Sequence, residues 1–176
     1  VTEPIAPPRG LVEWLDEIAR ATVPAAMAVV LLLVEAVPLG VPGAPGFGPR
    51  LAWGAVFYWS LARPQLMNGP VAFLLGLFAD LLGGTQPGLQ AFVFLLLHAF
   101  ARRAARSLAG RSFLWLWLGF VFAAVPLAAV EWGLRSLFLM TLLPSLGGAV
   151  QIVFTAALFP TIAMLSIRAD QAAVAR

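Results

Sequence analysis

Three acids stand inside apolar runs of this chain, Glu35, Asp80 and Glu131, and acids in such places default to a functional reading. Their chemistry would be a proton or ion relay, or an anchor for a partner helix. The competing reading is structural. Glu131 precedes Arg135 by four, the favourable order for a helical ion pair, and Arg50 opens an apolar run that can neutralise Glu35. Glu35, Arg50, Glu131 and Arg135, with Asp80, are therefore expected to gather in one polar cluster, and ion-paired packing is the favoured account. Asp80 also belongs to a stripe of small residues spaced by four, Ala72, Gly76, Asp80, Gly84 and Gly88. Small residues at this spacing let another helix approach closely, so the stripe is a candidate packing surface for a partner helix. The plainer expectation for Asp80 is a buried carboxylate that caps the helix broken at Gly83–Gly84 and ties down the turn.

Few other residues offer chemistry. The single histidine, His98, has no companion ligands, and without cysteine neither a thiolate nucleophile nor a cysteine metal site is available. His98 is expected to hydrogen-bond a neighbouring helix. No phosphate-binding glycine loop, nucleophile elbow or HExxH motif occurs, and no serine or threonine has a histidine or acid at a suggestive spacing. No catalytic residue, cofactor or metal site is assigned.

The elements that must position these groups are set by composition. The chain is 61% hydrophobic and 11% charged, with a mean hydropathy of +0.94. A soluble domain is nearer 45–50% apolar and ~25% charged, so lipid is the expected solvent. A net charge of +3 and a sequence pI near 11.0 do not point to nucleic acid, because the eleven basic residues, all arginine, fall at the ends of apolar runs. The pattern predicts an all-α membrane protein of six transmembrane helices in one domain, 1–176. The spans fall at about 21–39, 51–62, 71–82, 89–101, 112–130 (with a possible extension to Leu139) and 144–167. The second, third and fourth are short for spans and need tilt or shelter by neighbours. Pro160 is an expected kink whose freed carbonyl a neighbour must satisfy.

Before the first span, Leu11, Trp14, Leu15 and Ile18 share one helical face against Glu13, Asp16, Glu17 and Arg20. An amphipathic interfacial helix over 11–20 is the expectation; the alternative is an extension of the first span into water. Arg102, Arg103, Arg106 and Arg111 mark the fourth connection as cytoplasmic, and counting outward puts both termini, with Arg9, Arg20, Arg63, Arg168 and Arg176, on that side. Trp115 and Trp117 read as depth anchors at that interface. The polar cluster then falls toward the outer face.

One window carries more than hydropathy. Phe57 to Ala91 reads FYWSLARPQLMNGPVAFLLGLFADLLGGTQPGLQA. The order of Tyr58–Trp59, Arg63–Pro64, Phe73, Gly76–Leu77, Asp80–Leu81–Leu82, Gly84 and Pro87–Gly88 resembles the rod shape-determining membrane protein MreD family. The resemblance implies a non-enzymatic component of the bacterial cell-elongation complex in the cytoplasmic (inner) membrane. Its partners would be an MreC-like single-span protein and, indirectly, MreB-like filaments and the peptidoglycan polymerase and transpeptidase. It also implies a fold similar to the six-helix substrate-binding subunits of energy-coupling-factor transporters. A vitamin-like small-molecule binding subunit of a transporter is the second reading. The basic loop would meet anionic lipids or an acidic filament surface.

Overall fold

The computed structural model describes residues 11–37, 48–84, 86–108, 110–142 and 145–174. The first ten residues with Arg9, most of the Gly40–Pro49 loop, and Arg176 lie outside them, as do the side chains of 11–21. Within the described residues the chain is all-helical: α1 Leu11–Ala36, α2 Leu51–Ala62, α3 Gly69–Gly83, α4 Leu89–Leu108, α5 Phe113–Phe138 and α6 Ser145–Val174.

The shortest helix organises the rest. From Ala52 to Ser60 every residue of α2 except Tyr58 is buried, as expected of a helix that is apolar all round. Twelve residues rise only ~18 Å, against a hydrocarbon core of ~30 Å. Neighbours compensate. Helices α1, α3, α4, α5 and α6 contact one another in a closed ring, and α2 packs against α1, α4, α5 and α6 inside it. Phe57 of α2 meets Phe120 of α5 edge-on at 5.5 Å between ring centroids, and Phe120 stacks on Phe159 of α6 at 4.2 Å. These three fully buried rings fill the centre.

The ring's outer surface is apolar. Val30 and Val34 on α1, Leu74 and Leu81 on α3, Phe122 and Val125 on α5, and Val153 and Phe154 on α6 are all exposed. So much exposed apolar area suits lipid rather than water. By length and composition two helices can cross a membrane, at Phe113–Phe138 and Gly147–Ala172; Thr22–Ala36, α2 and α3 are shorter apolar helices.

Several details depart from the sequence reading. Residues 11–20 are not a separate helix: α1 runs unbroken from Leu11 to Ala36 with Pro24 inside it. Helix α4 continues past Ala101 to Leu108, and α6 past Ile167 to Val174. Trp115 is exposed, whereas Trp117 is half-buried, and its Nε1 donates to the Ala156 carbonyl at 2.8 Å. The cause lies four residues on. Pro160 has no N–H to give Ala156, so the indole of α5 serves the carbonyl that the proline leaves open. Trp117→Phe keeps the ring and drops this donor. It should cost about 1 kcal/mol, read as a fall of roughly 2–4 °C in the melting temperature of the purified protein. An unchanged melting temperature would mean that this bond contributes nothing.

Candidate functional site: a polar cluster at one end of the bundle

The break between α3 and α4 builds the first part of the site. Asn68 Oδ1 accepts from Val71 N at 3.0 Å to start α3, with Pro70 in the first turn. Gly84 ends the helix at φ +57, and Gly88 turns the chain at φ +97, both in the left-handed region that favours glycine. The chain then doubles back so that α4 packs on α3. Asp80, 2% exposed, lies between them. Its carboxylate accepts from the backbone N–H groups of Gly88 at 2.8 Å, Gln90 at 2.9 Å and Ala91 at 3.4 Å.

Gln90 and Ala91 supply orphan N–H groups of the first turn of α4, and Gly88 stands just before it, where a negative charge is favoured by the helix dipole. Asp80 thus ties the turn to the start of the following helix. Gly84 N donates to the Asp80 backbone carbonyl, which ends α3. Asp80→Asn replaces one acceptor oxygen with a donor aimed at donors, so it should cost about 2 kcal/mol. Thermal denaturation of the purified variant measures this; a shift below 1 °C would contradict the cap.

Glu131 on α5 forms the second part. It is 6% exposed, and its Oε1 takes three donors: Arg50 Nη2 at 2.5 Å, Gln90 Nε2 at 2.6 Å and Arg135 Nη2 at 2.9 Å. Gln90 joins the two parts, because its backbone N–H meets Asp80 while its side chain meets Glu131. Arg135 also lies within electrostatic range of Asp80.

Glu35 joins the cluster within electrostatic range of Arg50 and Glu131, and it also takes a role that the spacing did not show. Its Oε1 accepts from Ala52 N at 2.5 Å, capping α2, while the direct partner of Arg50 is Glu131. The reason is again a helix start: α2 has no side-chain cap from its own Arg50, and a carboxylate from α1 fills that need. Helix α6 closes the group. Thr155 Oγ1 accepts from Arg50 N at 2.9 Å, and Gln151 Nε2 donates to Gly48 O at 2.6 Å. Side chains from all six helices or the turns before them thus meet at one end.

The small-residue stripe has a definite occupant. Ala72, Gly76 and Asp80 are buried. A Cβ on Gly76 would lie 2.6 Å from the Gln90 carbonyl oxygen and 2.7 Å from the Ala91 nitrogen, and it would overlap Ala91 Cα. The chain's own α4 fills this surface, so Ala72 and Gly76 do not form an open groove for a second protein. Gly84 has open space around it and serves the turn instead.

The remaining motif residues divide by role. Trp59 is buried in the core, with Tyr58 edge-on to it at 5.6 Å. Arg63 closes α2, and its Nε donates to Asp170 Oδ1 of α6 at 3.0 Å. Pro64 lies in the turn that follows, Phe73 is exposed on α3, and Pro87 is exposed in the turn before α4. His98 Nδ1 shares a 2.9 Å hydrogen bond with Ser60 of α2. The arginines Arg102, Arg103, Arg106 and Arg111 are all exposed.

The turn, the capping aspartate and the arginine closing α2 are the Tyr58–Gly88 motif seen in three dimensions. A family model described as rod shape-determining protein MreD matches residues 17–167, most of the chain. The chain belongs to the MreD family. Searches of the curated proteins and of the solved structures return no match. Membership makes it a rod shape-determining membrane protein. The matched residues reach well beyond the motif window.

Sequence reasoning missed four residues of this structure: Gln90, Thr155, Gln151 and Asp170. Gln90 did leave a signal, as a lone amide among apolar residues two positions after the Pro87–Gly88 turn. Asp170 lies 107 positions from Arg63, and no local spacing reveals such a pair.

Proposed function

We propose that this MreD-family chain is a non-enzymatic scaffold of the bacterial cell-elongation complex. It holds an MreC-like single-span protein in the cytoplasmic membrane and so links MreB-like filaments to lateral peptidoglycan synthesis. The observation that carries this reading is the family match across residues 17–167. The site geometry supports it. The ionisable groups of the cluster are engaged in holding helix ends together, which suits a rigid platform presenting apolar faces to other membrane helices. The vitamin-binding alternative calls for donors directed at a ligand; here Arg50, Gln90 and Arg135 converge on Glu131.

In this reading the chain crosses the membrane six times, with α2 and α3 sheltered by their neighbours and both ends cytoplasmic. The likeness to energy-coupling-factor substrate-binding subunits belongs to the same proposal. Reporter fusions placed after Arg106 should be active in the cytoplasm and those after Leu143 inactive; the reverse pattern would invert the topology. The function itself is tested by affinity purification from membranes with identification of partners. A single-span protein and wall-synthesis enzymes should co-purify. A stoichiometric small metabolite without protein partners would favour the transporter reading.

A further inference from the structure

We propose that the corner between α4 and α5 is a binding site for the phosphodiester headgroup of an anionic phospholipid. The argument starts from the overhang of α4. Beyond Ala101 the helix continues as RRAARSL, and Arg102, Arg103 and Arg106 are exposed on it. Arg106 lies four residues from Arg102 and three from Arg103, so the three guanidinium groups share one side of the last two turns.

The chain then reverses. Gly110 at φ +73 makes the turn, and Arg111 N donates back to Leu108 O at 3.2 Å. Leu108 is anchored on α5, so close that a Cβ at Gly119 would lie 2.9 Å from its Cδ1. Arg106 and Arg111 are therefore held within one turn of the same anchored residue. Arg111 does not wander: its guanidinium lies over the Trp115 ring at 4.8 Å from the centroid.

Among the described residues no ion pair engages these four arginines. The acids Glu13, Asp16 and Glu17 are carried on α1, which packs chiefly on α2, α3 and α6. Asp170 is engaged by Arg63. Depth decides which anion. Directly after Arg111, the side chains of Phe113, Leu114, Trp115 and Leu118 are exposed and apolar. In a membrane protein such side chains face acyl chains, and an exposed indole sits at headgroup level. The arginines thus stand at the height of lipid phosphates, which favours a lipid over an acidic protein surface. A phosphodiester fits their donors, since guanidinium groups bind phosphate oxygens in pairs. This site requires only that the chain lie in a membrane, so it stands apart from the scaffold reading.

The test is native mass spectrometry of the full chain, released from detergent containing equal amounts of phosphatidylglycerol and phosphatidylcholine. The wild type should retain phosphatidylglycerol preferentially, and each arginine removed from the patch should lower that preference about fivefold. Arg111→Gln should show one such step and Arg106→Gln with Arg111→Gln two. Arg168→Gln, which removes an exposed charge from α6, should show none. Circular dichroism of each variant confirms that it is folded before comparison. No preference in the wild type would overturn the site. An equal loss in Arg168→Gln would also overturn it, by reducing the effect to net charge.

Discussion

Replacing Glu131 with alanine should loosen the end of the bundle that holds the polar cluster while leaving its helices formed. The carboxylate is the common acceptor of Arg50, Gln90 and Arg135, which come from the start of α2, from α4 and from its own helix. Removing it leaves two guanidinium groups side by side and a buried amide without its acceptor. Breaking a buried ion pair from one side costs ~3–5 kcal/mol. The lower end applies, because the Arg135 side chain is 30% exposed and can turn toward water.

A loss of ~3 kcal/mol corresponds to a fall of roughly 10 °C in melting temperature for a chain of this length. Glu131→Gln retains an acceptor and should lose less. The decisive comparison is a triple variant with leucine at Glu131 and methionine at Arg50 and Arg135. Replacing a whole buried ionic group by apolar residues is often neutral, so the triple variant should recover most of the stability that Glu131→Ala loses. If it melts as low as the single variant, the cluster is not an ion-paired packing device, and a role in binding or proton transfer regains ground.

What could be read in advance follows from the range of the interactions. Apolar runs and glycine–proline breaks act locally, so the existence and order of the helices were legible, and so was the special place of Asp80. Helix ends proved less so. The sequence of α4 turns polar after Ala101, but hydrogen bonds inside the helix do not require lipid, and the arginine-rich turn simply continues it. The same holds for α1, where Pro24 is tolerated within a continuous helix.

Pairings between helices were the least legible. Composition brought Glu35, Arg50, Glu131 and Arg135 into one expected cluster, yet it could not say that Glu35 would cap α2 while Arg50 crossed to Glu131. That choice depends on which carboxylate reaches the orphan N–H groups of Leu51–Ala62, a matter of three-dimensional placement. Trp117 shows the opposite case. Pro160 announced an unsatisfied carbonyl, and only the identity of its donor had to await the fold.

Gly76→Leu should likewise act on folding before it acts on any partner. The stripe Ala72–Gly76–Asp80 could serve another chain or this one, and the backbone of α4 at Gln90–Ala91 already rests on Gly76. The atoms that an added side chain meets are a carbonyl oxygen, an amide nitrogen and a Cα. None can rotate away as the end of a flexible side chain would. Helix α4 must move bodily, and that shift pulls the N–H groups of Gly88, Gln90 and Ala91 off Asp80 and the Gln90 amide off Glu131. Overpacking alone costs up to ~3 kcal/mol, and the lost cap adds about 1–2 kcal/mol. The variant should therefore accumulate poorly in membranes and elute as aggregate in size-exclusion chromatography. Gly84→Leu makes the contrast. It meets open space, so its cost comes from the left-handed backbone at φ +57, about 1–2 kcal/mol, and a folded fraction should survive. If Gly76→Leu remains monodisperse and fully folded yet loses its membrane partner, α4 is not the true occupant of the stripe and a second chain is.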